Sequence, residues 1–184
     1  AVRRFAAMED SAEWIDRLKI VGIGLRDPTQ VISLADDVAA AAGGYGAMGF
    51  ATSTVELCRA AFSPRHRAGL ALDLGCGAGT IAMVLSAMAE RVVAPGIEPR
   101  ALVVTRANLL MNGIPNVKPR LGDGLAPVAG ERFDLVVSQP PFVPRPAGAA
   151  GSVLMYGGAR GDELAQRLLA QLGEHLAPGG TALL

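Results

Sequence analysis

Cysteine is scarce in this chain: Cys58 and Cys76 are its two. Two thiols make neither a disulfide framework nor a metal-ligand set, and they fit a reducing, cytoplasmic setting. Net charge is lacking as well, with 17 basic against 17 acidic side chains. The balance holds on either side of Gly69, eight of each sign before it and nine of each from it onward. No basic arm or acidic tail hides in the average, which counts against a protein that binds nucleic acid or a membrane surface chiefly by charge. No apolar run approaches the roughly 20 residues of a membrane span. Nor does a basic stretch followed by an apolar one open the chain as an export signal would. What is present is 184 residues, about half of them hydrophobic, with 23 Gly and 12 Pro. That length suits one domain with a real core, or one domain with an extension.

Residues 1–67 read as a helical N-terminal extension. Asp10-Ser11 can cap a segment through Trp14, Ile15, Leu18 and Val21. Thr29 can cap a second one carrying Val31, Ile32, Leu34, Ala35 and Val38. Glycines at 43, 44, 46 and 49 interrupt regular structure. A third helix is predicted from Val55 to Phe62, with Ser53 and Glu56 spaced as a capping box and Ser63-Pro64 as its end.

From Gly69 the texture changes, and residues 68–184 read as a core of short apolar runs alternating with helix-length segments. Strands are predicted over Leu70–Leu74, Arg91–Ile97, Asn116–Leu121, Phe133–Ser138 and from Thr181. Helices are predicted from Thr80 to about Ala89, Pro99 to about Met111, and Asp162 to Leu176, with Asn112-Gly113 stopping the second. Strands alternating with helices imply an α/β fold in three layers, a mostly parallel sheet covered on both faces. Pro95 falls within the second predicted strand, where its missing N–H predicts a bulge or an early end to pairing. Gln139 to Gly161, rich in Pro, Gly and Ala, reads as a long mobile loop. Tyr156-Gly157-Gly158 within it is a candidate lid.

The chemistry concentrates at strand ends. Asp73-Leu74-Gly75-Cys76-Gly77-Ala78-Gly79-Thr80 joins the first core strand to a helix. Glycines let a backbone turn sharply and approach a ligand, with helix amides facing it. A dinucleotide fingerprint would need Gly where Thr80 stands, which puts a nicotinamide-dependent oxidoreductase far down the order. Glu98, ending the next strand ahead of Pro99, can accept both hydroxyls of a ribose. Asp123, between Gly122 and Gly124, ends the third. Ser138-Gln139-Pro140-Pro141-Phe142 ends the fourth, its prolines restricting the backbone on either side. His66 and His175 read as surface or structural, and Cys76 as a small packing residue rather than a nucleophile. Tyr45 and Phe50, among upstream glycines, are candidates for closing the pocket.

In order and spacing these motifs resemble Rossmann-like S-adenosylmethionine-dependent methyltransferases. Residues 69–184 are similar to the small-domain group that includes N5-glutamine methyltransferases acting on release factors and relatives acting on RNA bases. The pieces that match are Leu72 to Thr80, Gly96 to Leu102, Asn108 to Gly113, Gly122-Asp123, Phe133 to Phe142 and Leu176 to Gly180. The resemblance implies S-adenosylmethionine as cofactor, with S-adenosylhomocysteine as product. It implies contacts from Asp73, Gly75, Cys76, Gly77 and Gly79, ribose held by Glu98 and Pro99, and adenine by Asp123 and Gly124. It implies an acceptor set of Gln139, Pro140, Pro141 and Phe142, with Gln139 also beside the cofactor. This last set varies the family's Asn-Pro-Pro-Tyr/Phe motif, and the extra methylene of Gln139 moves the amide by more than an ångström. The family's sheet has seven strands, so the reading expects a longer natural chain, with C-terminal strands beyond Leu184. The expected function is methyl transfer to a nitrogen, or other heteroatom, of a protein glutamine or a small molecule. RNA or DNA base methylation and a non-catalytic cofactor-binding scaffold stand as alternatives.

Overall fold

The computed structural model describes residues 19–24, 30–35, 52–61, 67–149 and 154–184. Among the described residues five strands form the central sheet: β3 (Ala68–Leu74), β4 (Ala89–Gly96), β5 (Val117–Leu121), β6 (Phe133–Ser138) and β9 (Leu176–Leu183). Their order is β5-β4-β3-β6-β9 and every pairing is parallel. Parallel neighbours need crossovers. These are α2 (Thr80–Leu85), α3 (Pro99–Met111), a single 3-10 turn (Ala126–Val128) and α4 (Glu163–His175). An earlier helix, α1 (Thr52–Ala61), precedes the sheet.

Alternation along the strands builds two apolar layers. Ala71, Val92 and Val137 join Cys58, Ile81, Leu102 and Leu109 of α1, α2 and α3 on one face. Leu72, Val93, Val136 and Phe133 join Val128, Leu168 and Leu172 on the other. Adjacent residues serve opposite faces because the side-chain period of a strand is two. That is why the runs are continuously apolar and why the fold is a three-layer α/β sandwich of Rossmann-like topology. Asp134, at the exposed end of β6, accepts from the Gly69 and Leu70 N–H groups at 2.8 and 2.9 Å, locking the start of β3 beside it.

Pro95 lies within β4, and the β3 ladder stops short of it. The last register pair there is Leu72↔Val93, while the β5 ladder runs on through Pro95↔Arg120 to Gly96↔Leu121. The Pro95 carbonyl faces the β3 side, accepting from Gly75 and Cys76 N–H at 3.1 and 3.0 Å. A residue's N and O point the same way in a strand, so the missing donor sits where the ladder has already opened. The strand predicted from Thr181 begins earlier, at Leu176, and Pro178-Gly179-Gly180 is an irregularity inside β9. Phe133 pairs with Leu176 but Leu135 with Thr181, so extra residues are absorbed there.

Two other expectations are corrected. The first two predicted helices overlap β1 (Lys19–Gly24) and β2 (Gln30–Ala35), an antiparallel pair in register from Lys19↔Ala35 to Gly24↔Gln30. Short apolar runs satisfy both periods, and β-branched Ile20, Val21, Ile23, Val31 and Ile32 favour the extended form once a partner strand is at hand. Asp10-Ser11, the Gly43 to Gly49 stretch, Tyr45, Phe50, Ser63-Pro64 and His66 lie outside the described residues. The second correction concerns 139–161. Its described part contains β7 (Val143–Pro144) and β8 (Tyr156–Gly158), paired in parallel. Gly157 permits this: a Cβ there would lie 2.3 Å from the Pro141 carbonyl oxygen and 2.1 Å from that of Gly161. Glu163 reinforces the fold-back by accepting from the Arg160 and Gly161 N–H groups at 2.9 and 3.0 Å.

Candidate active site

The carboxyl ends of β3, β4, β5 and β6 open into one cavity of about 690 Å³. Such a crevice is where open parallel sheets bind ligands, because loops diverge at the point where strand order reverses. Its floor is the turn between β3 and α2. Gly75, Gly77 and Gly79 all have positive φ, at 84°, 51° and 81°. Gly79 has no alternative, since a Cβ there would also come within 2.7 Å of Thr105 Cγ2. The turn is tied on both sides. Besides the two bonds to the Pro95 carbonyl, Thr105 Oγ1 donates to the Gly77 carbonyl at 2.8 Å and Asn108 Nδ2 to that of Ala78 at 2.7 Å. Thr105 and Asn108 are fully buried. The sequence reading assigned them no part in the site. Their signal was two polar residues three apart on the buried face of α3.

Gly75, Cys76, Gly77, Glu98, Asp123, Gly124 and all of Gln139 to Phe142 line this cavity. Asp73, Gly79 and Pro99 do not. Asp73 turns into the core, 1% exposed, and its Oδ2 accepts the Ala82 N–H at 2.8 Å. It holds α2 onto β3 instead of facing a ligand. Gly79 serves as the left-handed residue opening α2. Pro99 starts α3, where its missing N–H costs nothing. Glu98 caps that helix, accepting from Arg100 N–H at 3.2 Å, and is itself buried while lining the cavity. Asp123 is exposed and reaches Arg167 of α4 at 4.0 Å.

At the far end, Gln139 to Phe142 share the cavity lining with Leu154, Met155 and Tyr156, and the candidate lid segment is a wall held by its pairing with Val143–Pro144. Phe142 is 65% exposed there, an aromatic ring left open to solvent. Ser138 Oγ donates to the Leu74 carbonyl at 2.7 Å and ties the ends of β6 and β3 together. The Gln139 side chain bonds to Ser53 and Thr54 of α1. Ser53 had been read as a helix cap, and a partner so distant in sequence carries no local signal.

Among the described residues the charged ones lining the cavity are Glu98, Asp123, Glu163 and Arg167, three acids to one base. Burial pushes the Cys76 thiol up to about 12, with the nearby Asp73 carboxylate adding to the shift, so it is no nucleophile. His175 lies apart, its Nδ1 at 3.1 Å from the Glu131 carbonyl oxygen. Among the described residues no cluster of His, Cys, Asp or Glu is arranged to hold a metal ion. No described helix is long and apolar enough to cross a membrane.

Known proteins with similar sequences and folds agree on the kind of molecule. A release factor glutamine methyltransferase of Koribacter versatilis is 34% identical over 134 residues, 66% of this chain and 48% of that protein. A ribosomal RNA small subunit methyltransferase C of Idiomarina loihiensis is 31% identical over 113 residues, 61% of this chain and 29% of that protein. This chain therefore spans about half, or less, of the curated relatives it matches. In three dimensions it resembles the T. thermophilus 16S rRNA N2 G1207 methyltransferase solved with AdoMet and guanosine. The TM-score is 0.62 at 18% identity, covering 90% of this chain and 41% of that one. The methyltransferase small domain family matches residues 37–184, most of the sequence, and the chain belongs to that family.

Proposed function

We propose that this protein is an S-adenosylmethionine-dependent methyltransferase acting on a nitrogen of a protein glutamine or a small molecule. The observation that carries the reading is the convergence of the glycine turn, Glu98, Asp123 and the Gln139–Phe142 segment on one cavity of about 690 Å³. The residues fit the cofactor. The turn offers backbone without side chains in the way. Glu98 presents a buried carboxylate at the end of β4, suited to a pair of ribose hydroxyls. Asp123 and Gly124 line the same cavity just past β5 and would suit an adenine, and the acidic lining among the described residues suits a cationic ligand.

S-adenosylmethionine, which the glycine turn, Glu98, Asp123 and Gly124 would hold, would supply an electrophilic methyl on a sulfonium, with S-adenosylhomocysteine as leaving group and solvent water taking the acceptor's proton. The chain's own contribution is placement. The turn is immobilised from α3 and β4, and Pro140-Pro141 stiffen the opposite wall. Phe142 and Tyr156 offer flat surfaces to a planar acceptor. Such positioning is worth up to about 7–11 kcal/mol of barrier in favourable cases. Among the described residues no His lines the cavity, and an acceptor that needs orientation more than deprotonation suits that lining. The two cysteines are both free, in keeping with a cytoplasmic protein.

Calorimetry with S-adenosylhomocysteine tests the reading. Wild type should bind, and Glu98→Gln should weaken binding about tenfold or more, the scale of lost charge-assisted hydrogen bonds. No uptake by folded wild type would overturn it. The rRNA-directed relatives favour a second reading, methylation of an RNA base. The balanced charge and acidic cavity weigh against it, because phosphate contacts need Lys and Arg. Tight, salt-sensitive binding of structured RNA would decide for RNA.

A further inference from the structure

Gln139 stands where the resembled families carry asparagine, and its amide is engaged at both ends. Its Oε1 accepts from Thr54 Oγ1 at 2.5 Å, and its Nε2 donates to Ser53 Oγ at 2.5 Å. Both hydroxyls belong to the first turn of α1. Further along, Cys58 and Ala61 of that helix are buried in the core cluster with Cys76 and Ile81. Thr54 and Gln139 also line the same cavity as the glycine turn. The helix is thus packed at one end against the apolar core and bonded at the other to a side chain of the acceptor loop. An asparagine is shorter by one carbon–carbon bond, about 1.5 Å. Hydrogen bonds of normal length do not stretch that far.

We propose that Ser53, Thr54 and Gln139 form a clasp that closes α1 over the nucleoside cavity, the two hydroxyls acting as positioning residues for the amide. The glutamine is then a reach adaptation: the longer side chain ties the amide to α1. The clasp rests on the cavity being the S-adenosylmethionine site. Two hydrogen bonds of ordinary net strength shift the balance between closed and open helix about tenfold or more.

The test measures release of labelled S-adenosylhomocysteine from the whole chain, alongside hydrogen exchange of α1 amides in the free protein. Gln139→Asn and Gln139→Ala should each speed release about fivefold or more and deprotect α1. Amides of β3 and β6 should stay protected in both, which confirms that the variants fold. Gln139→Glu keeps the reach and accepts from both hydroxyls, so it should retain slow release. Ser53→Ala with Thr54→Val should mimic Gln139→Ala and add nothing to it, as expected for groups in one contact. Wild-type release and α1 protection in Gln139→Asn would overturn the clasp, as would Gln139→Glu behaving like Gln139→Ala. If wild type takes up no S-adenosylhomocysteine, the reading of the cavity falls, and α1 exchange still decides the clasp.

Discussion

Asp73→Asn separates charge from shape at a side chain sealed in the core. The carboxyl is 1% exposed, and its Oδ1 has no hydrogen-bond partner among the described residues. Burial pushes its pKa from 3.8 up to about 7, opposed by the Ala82 hydrogen bond. Its titratable neighbours, the Cys58 and Cys76 thiols, are themselves pushed to about 12 and supply no counter-charge. The native state therefore holds a proton that the unfolded chain has released. Stability from this group is highest below the unfolded value, falls as pH rises toward the folded value, and is level above it. Between pH 5 and pH 8 the wild type should lose about 3 kcal/mol through Asp73, at roughly 1.4 kcal/mol per pH unit up to its folded value. Asp73→Asn does not titrate. The unpaired amide N–H it introduces lowers stability by a similar amount at both pH values and cancels in the comparison. Urea unfolding of both proteins at pH 5 and pH 8 is the assay. The stability of the variant relative to wild type should improve by about 3 kcal/mol at the higher pH. A gap that does not move with pH would refute the burial penalty, and one that moves the other way would mean that the carboxylate is stabilised by a positive partner.

The glycine turn and the acceptor wall make further predictions. Gly79→Ala forces a left-handed alanine and a 2.7 Å approach to Thr105, whereas Gly75→Ala at φ 84° meets nothing within 4 Å. Gly75→Ala should cost about 1–2 kcal/mol from backbone strain alone and Gly79→Ala clearly more; equal losses in thermal unfolding would contradict the packing argument. Phe142→Ala removes an exposed ring, so the unfolding midpoint should stay within about 0.5 kcal/mol of wild type. Methyl transfer to the acceptor should fall tenfold or more, and unchanged turnover would remove Phe142 from the acceptor wall.

Much of the site was readable because its pieces are local. Leu72 to Thr80 contains a strand, a turn and a helix start within a few residues, and the glycines report the turn directly. Glu98-Pro99 declares a strand end and a helix beginning in two residues. Phe133 to Ser138 is apolar enough to require burial on both faces. Pro95 was legible as an interruption, though not that only the β3 side would open. The lid segment was harder, because Tyr156–Gly158 pairs with Val143–Pro144, and the Val143 and Arg145 N–H groups donate to the Met155 and Gly158 carbonyls, contacts that composition does not encode. Where their residues are described, the first two predicted helices give way to β1 and β2, because short apolar runs fit either period until a partner strand decides.

What the sequence by itself determined is the alternation of strand and helix, the places where the backbone must turn, and the family to which those turns are similar. Those follow from short-range sterics and from side-chain periodicity. The tertiary structure alone decided which way each polar group faces. Asp73 turns into the core toward the Ala82 N–H, whereas Glu98 lines the cavity from the end of the neighbouring strand. The Gln139 amide meets hydroxyls 85 and 86 residues away. A polar side chain goes to the partner that best offsets its lost water, and only the folded chain brings that partner within reach.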